Sequence, residues 1–256
     1  MKLCKKMNLS KIEKAVFCVS ILIAAFFALT PSTSAMHIME GYLPVGYSIA
    51  WSVVALPFVV MGVMRLQKTV AENRRTLVLL AMSGAFIFVI SSLKIPSVSG
   101  SCSHMTGTGL AAILFGLSTT SVLGVIVLVF QAILLAHGGL TTLGANTFSM
   151  AIAGPILTIL LFNAGKKIKL NKMANVFIAA TLGDLFTYCV TSIQLALAHP
   201  SEVGGVAEST VKFLGVFAPT QIPLAVVEGI FTVLIIMGME KYAARELSEL
   251  SYAEAV

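Results

Sequence analysis

Past residue 45 the chain is a succession of long, almost uncharged apolar stretches, at about 46–64, 76–93, 107–117, 120–137, 146–164, 173–198 and 213–239. All but the third are long enough for a helix to cross the ~30 Å of bilayer hydrocarbon, which takes about 20 residues. Hydrocarbon offers no water to the backbone, so each stretch must pair its own N–H and C=O groups as a helix. The third stretch is too short to cross. It reads as a half-helix continuing through Ser118-Thr119-Thr120-Ser121, or as one limb of a re-entrant pair. Joining 107–137 as a single bent unit would give six spans. Composition agrees: 57% of residues are hydrophobic and 11% charged, against about 45–50% and about 25% in soluble domains. A soluble enzyme, a disordered chain and a secreted disulfide scaffold are excluded. Cys4, Cys18, Cys102 and Cys189 are scattered and form no CxxC pair. The expected fold class is all-α, a polytopic membrane helix bundle of about seven transmembrane segments.

Residues 1–35 read differently. Lys2, Lys5, Lys6, Lys11 and Lys14 precede an apolar run from Ala15 to Leu29, and Thr30-Pro31-Ser32-Thr33-Ser34-Ala35 ends small-x-small. A basic region, a short apolar core and a small-residue cleavage site make a signal peptide; the alternative is an uncleaved first helix. Cleavage after Ala35 leaves a single transmembrane domain, 36–256, that starts Met36-His37-Ile38 with its amine outside the cytoplasm. The net charge of +6 is then a matter of which loops hold the basic residues, not of a nucleic-acid partner. Arg65, Lys68, Arg74 and Arg75, then Lys166, Lys167, Lys169 and Lys172, then Lys241 and Arg245 all fall on one side of the seven-span topology. Lys94 and Lys212 fall on the other. Ten against two puts the first set in the cytoplasm, with the mature N-terminus outside, as the signal peptide requires. The chain is expected to lie in a cytoplasmic (inner) membrane, in contact with lipid.

On this topology His37, His104, His137 and His199 all face the outer side. His137 and His199 end spans four and six, and His199, beside Pro200, reads as a polar helix end. His37 would be the second residue of the mature chain. A free α-amine, the peptide nitrogen of residue two and that residue's imidazole can close adjacent chelate rings on one metal, leaving a fourth in-plane position open. His104, in the glycine-rich Gly100-Ser101-Cys102-Ser103-His104-Met105-Thr106-Gly107, is the natural donor to complete a nitrogen square. Such ligation suits Ni(II) and Cu(II) foremost, not Ca(II) or Mg(II). The amine must lose a proton to ligate, so affinity falls in acid. Cys102 fits either a thiolate ligand or a small residue in a tight loop.

Asp184 and Glu228 lie within spans, where carboxyls face a bundle interior or a water-filled path, or simply bond a neighbouring helix. Two irregular segments, 137–146 and 218–223, could wall a site beneath the N-terminal segment. There is no GxxxxGK[ST], GxSxG or HExxH, so ATP cannot bind here through a P-loop and the common hydrolase and zinc-peptidase readings fall away. A metal site without an energy source implies partners.

Met36-His37-Ile38-Met39-Glu40-Gly41-Tyr42-Leu43-Pro44 resembles the mature N-terminus of the CbiM/NikM family. The likeness continues through Gly100-Ser101-Cys102-Ser103-His104, His137-Gly138-Gly139 to Gly154-Pro155, and Ala218-Pro219-Thr220-Gln221-Ile222-Pro223-Leu224. These are substrate-binding membrane subunits (S components) of energy-coupling-factor transporters for cobalt and nickel, and the segments look more like the cobalt member. The resemblance implies a non-enzymatic subunit that captures Co(2+), or Ni(2+), outside. Its implied partners are a transmembrane coupling subunit (CbiQ-type), an ATPase (CbiO-type) and a small membrane subunit (CbiN-type), and the imported cobalt would feed cobalamin synthesis. It implies no resident cofactor and no catalytic residues. The metal ligands it implies are the amine of Met36, the peptide nitrogen and imidazole of His37, and the imidazole of His104. Three readings stand beside it: a nickel-specific S component, a membrane metal sensor that does not transport, and a polytopic membrane enzyme, for which no motif places a nucleophile and base together.

The charge count yields a direct test. Single cysteines at positions 97–101, in a background lacking the native cysteines, are expected to react with an impermeant thiol reagent applied outside, and those at 69–71 to be protected. The reverse pattern would overturn the topology.

Overall fold

The computed structural model describes residues 37–72, 76–96, 102–244 and 247. Residues 1–36, with the expected signal peptide and Met36, lie outside the described residues, as does the side chain of Cys102. The elements run α1 (Val45–Glu72), α2 (Thr76–Ser92), β1 (Ile95–Pro96), β2 (Cys102–Ser103), α3 (Thr108–Leu135) and a short α4 (Leu143–Asn146). A π-helical segment (Thr147–Ala153) continues into α5 (Gly154–Lys167), followed by α6 (Lys172–Ala198) and α7 (Gly205–Tyr242). Five helical stretches among the described residues are long and apolar enough to cross a membrane, Val45–Ala71, Thr108–Leu135, Leu143–Lys167, Lys172–Ala198 and Gly205–Tyr242, and Thr76–Ser92 is a shorter apolar helix. The chain is a multi-pass membrane protein built of helices; β1 and β2 form only a two-residue antiparallel pair.

The expected stretches 107–117 and 120–137 both fall in α3, but α3 is not straight. Gly116 has φ 77° and ψ 175°, a region that only glycine enters readily. A straight helix of 28 residues would be about 42 Å long. Yet His104 and His137, which flank α3, have ring centroids 4.9 Å apart. The helix therefore folds back at Gly116 into two limbs, 108–115 and 117–135. The first is buried: Leu110, Ile113 and Leu114 pack against Phe162, Val176 and Ile236. Leu123 and Val127 of the second close over Ala111, together with Leu80, Ile87 and Met150. The half-helix reading of 107–117 describes this first limb.

The bundle exposes apolar side chains and buries several polar ones among its apolar clusters. Val53, Leu56, Val60 and Met64 of α1 are exposed, whereas Gln131, Gln194, Gln221, Asp184 and Glu228 are buried. α6 and α7 share the longest interface, closed at one end by the Lys172–Glu240 ion pair at 2.5 Å. The π-helical segment is almost wholly buried, and the carbonyl of Met150 within it accepts from the Thr108 hydroxyl at 3.1 Å. The helical reversal is thereby tied to α5.

Gly116 and Gly215 both have open space where a Cβ would stand, but only Gly116 has positive φ. Gly116→Ala is expected to destabilise the protein by about 1–3 kcal/mol, and Gly215→Ala to leave it unchanged or slightly stabilised. Thermal unfolding in detergent compares them; equal melting temperatures would show that the reversal needs no glycine.

Candidate metal centre

The fold-back brings together three histidines distant in sequence. His37 lies on the segment before α1, His104 just before the first limb of α3 and His137 just after the second. Their ring centroids are 4.4 Å apart for His37–His104, 4.7 Å for His37–His137 and 4.9 Å for His104–His137. One nitrogen from each lies within 4.8 Å of the others. At metal–nitrogen lengths of about 2.0–2.1 Å, as at zinc, cis donors are separated by about 3 Å and trans donors by about 4 Å. Seating all three on one ion would draw the nitrogens together by up to about 2 Å. The rings are 2%, 0% and 1% exposed.

Each ring is placed by its own local device. Asn146, at the end of α4, grips the main chain beside His37: its Oδ1 accepts from Ile38 N–H at 2.8 Å and its Nδ2 donates to Ile38 C=O at 3.0 Å. The Thr142 hydroxyl donates to the same carbonyl at 2.6 Å. Gly139 lets the segment lie close, since a Cβ there would stand 2.6 Å from Glu40 Cα. His104 is held through its neighbours. Ser103 Oγ meets Thr220 Oγ1 at 2.7 Å. Gln221 Nε2 donates to the His104 carbonyl at 3.2 Å and to Asp184 Oδ2 at 2.6 Å. Glu228 accepts from Thr106 N–H at 2.6 Å and from its hydroxyl at 2.9 Å. The two carboxyls in the spans thus brace the loop that carries His104. His137 follows a left-handed cap, with φ 46° at Ala136 and 76° at Gly138, and its own N–H donates to Gln131 C=O at 3.1 Å. A Cβ on Gly138 would crowd Asn146 Nδ2 at 3.2 Å.

The hydrogen-bond directions assign the tautomers. The Ser91 hydroxyl donates to the Ile87 carbonyl, so Ser91 Oγ accepts from Gln131 Nε2 at 2.6 Å. Gln131 Oε1 is left facing His37 Nε2 at 3.1 Å. An amide oxygen can only accept, so the His37 proton sits on Nε2 and its lone pair on Nδ1. His104 Nδ1 donates to the Met105 carbonyl at 2.9 Å, leaving the lone pair on Nε2, which has no partner among the described residues; neither ring nitrogen of His137 has one there. Burial, above all, lowers the proton affinity of all three rings. His37 is held well below the usual imidazole range, with His104 as the second cause. His104 is lowered to about 4. His137 is also lowered, by burial first and then by His37 and His104. Neutral imidazoles with unshared lone pairs are the form that binds a metal.

His37 and His104, expected to act together, do meet. Met36 and the Cys102 side chain lie outside the described residues. His199 stands apart at the end of α6, where its Nε2 donates to the Tyr42 carbonyl at 2.8 Å. Segments 137–146 and 218–223 both wall the site, through Asn146 and Gln221. His137, Gln131 and Asn146 are the members that sequence reasoning did not single out. The only signal for His137 was that it shares the outer side with the other histidines and is followed by a glycine pair.

The CbiM family model, described as the cobalt uptake substrate-specific transmembrane region, matches residues 37–246. A cobalt transport protein CbiM of Lachnoclostridium phytofermentans is 60% identical over 242 residues, 94% of this chain and 97% of the relative. Another, of Clostridioides difficile, is 62% identical over 208 residues, covering 81% and 83%. A crystal structure titled as a transition metal transporter has the same fold, with a TM-score of 0.72 at 23% identity over 83% of this chain and 97% of that one.

The buried rings predict an acid-sensitive fold. An imidazole whose folded-state pKa lies below its ordinary 6.5 binds its proton more readily in the unfolded chain. The stability it contributes is complete above about pH 6.5 and is lost as the pH falls through about 4, by about 3 kcal/mol at His104. Melting temperature measured without metal in detergent is expected to drop steadily from pH 7 to pH 4.5. A flat profile over that range would show that the rings are not held neutral.

Proposed function

Since the chain belongs to the CbiM family, we propose that it is the substrate-capture subunit, or S component, of an ATP-driven energy-coupling-factor importer for cobalt ions. The observation that carries the reading is the cluster of buried, neutral imidazoles, with lone pairs unshared at His104 and His137, at the end of the bundle where the N-terminal segment enters. Cleavage after Ala35 would free the amine of Met36. That amine, the peptide nitrogen of His37, His37 Nδ1 and His104 Nε2 then make four nitrogen ligands. Nδ1 is the ring nitrogen that closes a six-membered chelate with the peptide nitrogen, and it is the one that Gln131 leaves without a proton. Cobalt is cargo here, and the protein transports it instead of catalysing a reaction.

In the membrane the chain makes about seven passes, counting the two limbs of α3, with the mature N-terminus outside and the C-terminus in the cytoplasm. Lacking a P-loop, it draws on a CbiO-type ATPase through a CbiQ-type coupling subunit, with a CbiN-type small subunit completing the importer, and supplies cobalamin synthesis. A planar four-nitrogen set taken alone favours nickel over cobalt, so cobalt rests on the family and nickel is the second reading.

One residue added before Met36 moves the amine out of the first chelate ring. Purified protein with that extension is expected to bind cobalt at least about tenfold more weakly, and cells producing it to lose radiocobalt uptake, as are cells carrying His37→Ala or His104→Ala. Binding as tight as in the mature form would remove the amine from the site. Uptake that persists without the ATPase subunit would remove the chain from an ATP-driven importer.

A further inference from the structure

We propose that His137 is a fifth nitrogen ligand to the captured ion, placed off the plane of the other four, and that it sets the preference for cobalt over nickel. This rests on the reading that the amine, the peptide nitrogen, His37 and His104 hold the ion. His137 is 1% exposed, and both its ring nitrogens lack partners. A buried imidazole in that state loses its hydration without recovering a hydrogen bond. Side chains nearby each have at least one partner: His37 has Gln131, His104 has the Met105 carbonyl, Gln131 has Ser91, and Thr106 has Glu228; Asp184 and Gln221 each leave one oxygen unpartnered but bond each other through the other polar atom. His137 is nevertheless held in place, by its own N–H on the Gln131 carbonyl and by the left-handed Ala136 and Gly138 on either side. Its ring sits 4.7 Å from His37 and 4.9 Å from His104, and a ring nitrogen lies within 4.8 Å of one on each of them. It is positioned as a ligand, and its ring has no partner among the described residues.

The four other nitrogens fill a plane, because two fused chelate rings are nearly flat and His104 takes the remaining corner. A fifth donor must approach from above or below. Divalent nickel in a planar nitrogen field has eight d electrons and keeps a pair in the orbital along that axis, so a fifth nitrogen meets a filled orbital. Divalent copper has the same axial pair and accepts only a long, weak bond. Divalent cobalt, with seven, has one electron there and gains from a fifth nitrogen. A bare nitrogen site follows the general affinity order in which nickel and copper exceed cobalt. The off-plane imidazole works against that order.

Cobalt alone and nickel alone are the probes, titrated into purified protein with its mature N-terminus. Metal-edge X-ray absorption of the unmodified cobalt form is expected to show five nitrogen donors, three of them imidazoles by their outer-ring scattering; two imidazoles would overturn the proposal without any mutant. His137→Phe keeps a buried ring without a ligand. It is expected to weaken cobalt binding at least about tenfold while nickel affinity changes by no more than about threefold, the nickel form being four-coordinate with or without the ring. Equal losses for both metals would make His137 a packing residue, and no loss for either would exclude it as a ligand. Should His137→Phe fail to fold, His137→Gln is read by the same pair of titrations. His37→Ala separates the two claims: it is expected to abolish binding of both metals, and tight binding that survives it would refute the underlying chelate, not the role of His137 alone.

Discussion

A polar group inside a membrane protein has no water to fall back on, and an unpaired one costs several kcal/mol. Almost every feature around the candidate site follows from that constraint. The amides and carboxyls buried among the helices are joined in chains: Glu228 to Thr106, Thr106 to Thr108, Thr108 to the Met150 carbonyl, and Asp184 through Gln221 to the His104 carbonyl. These chains brace the loop before α3 without touching the imidazole lone pairs. The nitrogens left over, on His104 and His137, are concentrated at one place. Asp184 Oδ1 and Gln221 Oε1 are also unpartnered, but each of those side chains is bonded through its other polar atom, whereas His137 has no ring partner at all among the described residues.

The cluster exists because α3 turns back. Three local devices are needed together: the glycine-only conformation at Gly116, the left-handed cap at Ala136 and Gly138, and the Asn146 grip on Ile38. The first lets the chain return so that His104, on the segment before the short limb, meets His137 after the long one, the second turns His137 inward, and the third presses the N-terminal segment onto the glycine pair that follows. The Asn146 contact is backbone-directed. It fixes where residue 38 lies whatever its side chain, and so fixes the position of the residue before it.

Much of this was legible in the sequence. Long uncharged stretches give helices in a membrane because no other backbone solution exists there, and the short stretch at 107–117 was recognisable as incomplete from its length. His37 stood out by its place after a cleavage-type sequence, and His104 by its glycine-rich loop. His137 was read as the end of span four and the start of a loop that could wall the site, not as a ligand, because its place beside His37 and His104 depends on Gly116, 21 positions earlier, where one glycine in an apolar run is indistinguishable from a helix-packing glycine. Gln131 and Asn146 were invisible for a related reason. A side-chain amide in or beside a span signals a hydrogen bond but not its partner, and here the partners are His37 and the backbone of residue 38, about a hundred positions away in sequence.

If the cluster holds a metal ion as proposed, its donor chemistry would discriminate at two levels. The group of chelating side chains found among the described residues is three histidines and no carboxylate. Calcium and magnesium, the abundant divalent ions outside a cell, require oxygen ligands and hold their water firmly, so a buried nitrogen cup rejects them by donor type before shape matters. Among late transition metals donor type no longer separates the candidates, since all of them accept imidazole. Only the number of nitrogens and their directions remain. The tautomers matter for that reason: Ser91 and Gln131 hold the His37 proton on Nε2, and the Met105 carbonyl holds the His104 proton on Nδ1, so each of these two rings offers one defined nitrogen along one defined direction. A site whose rings could turn over would bind whichever metal binds nitrogen most tightly. A site whose rings are fixed from behind can favour a metal by geometry.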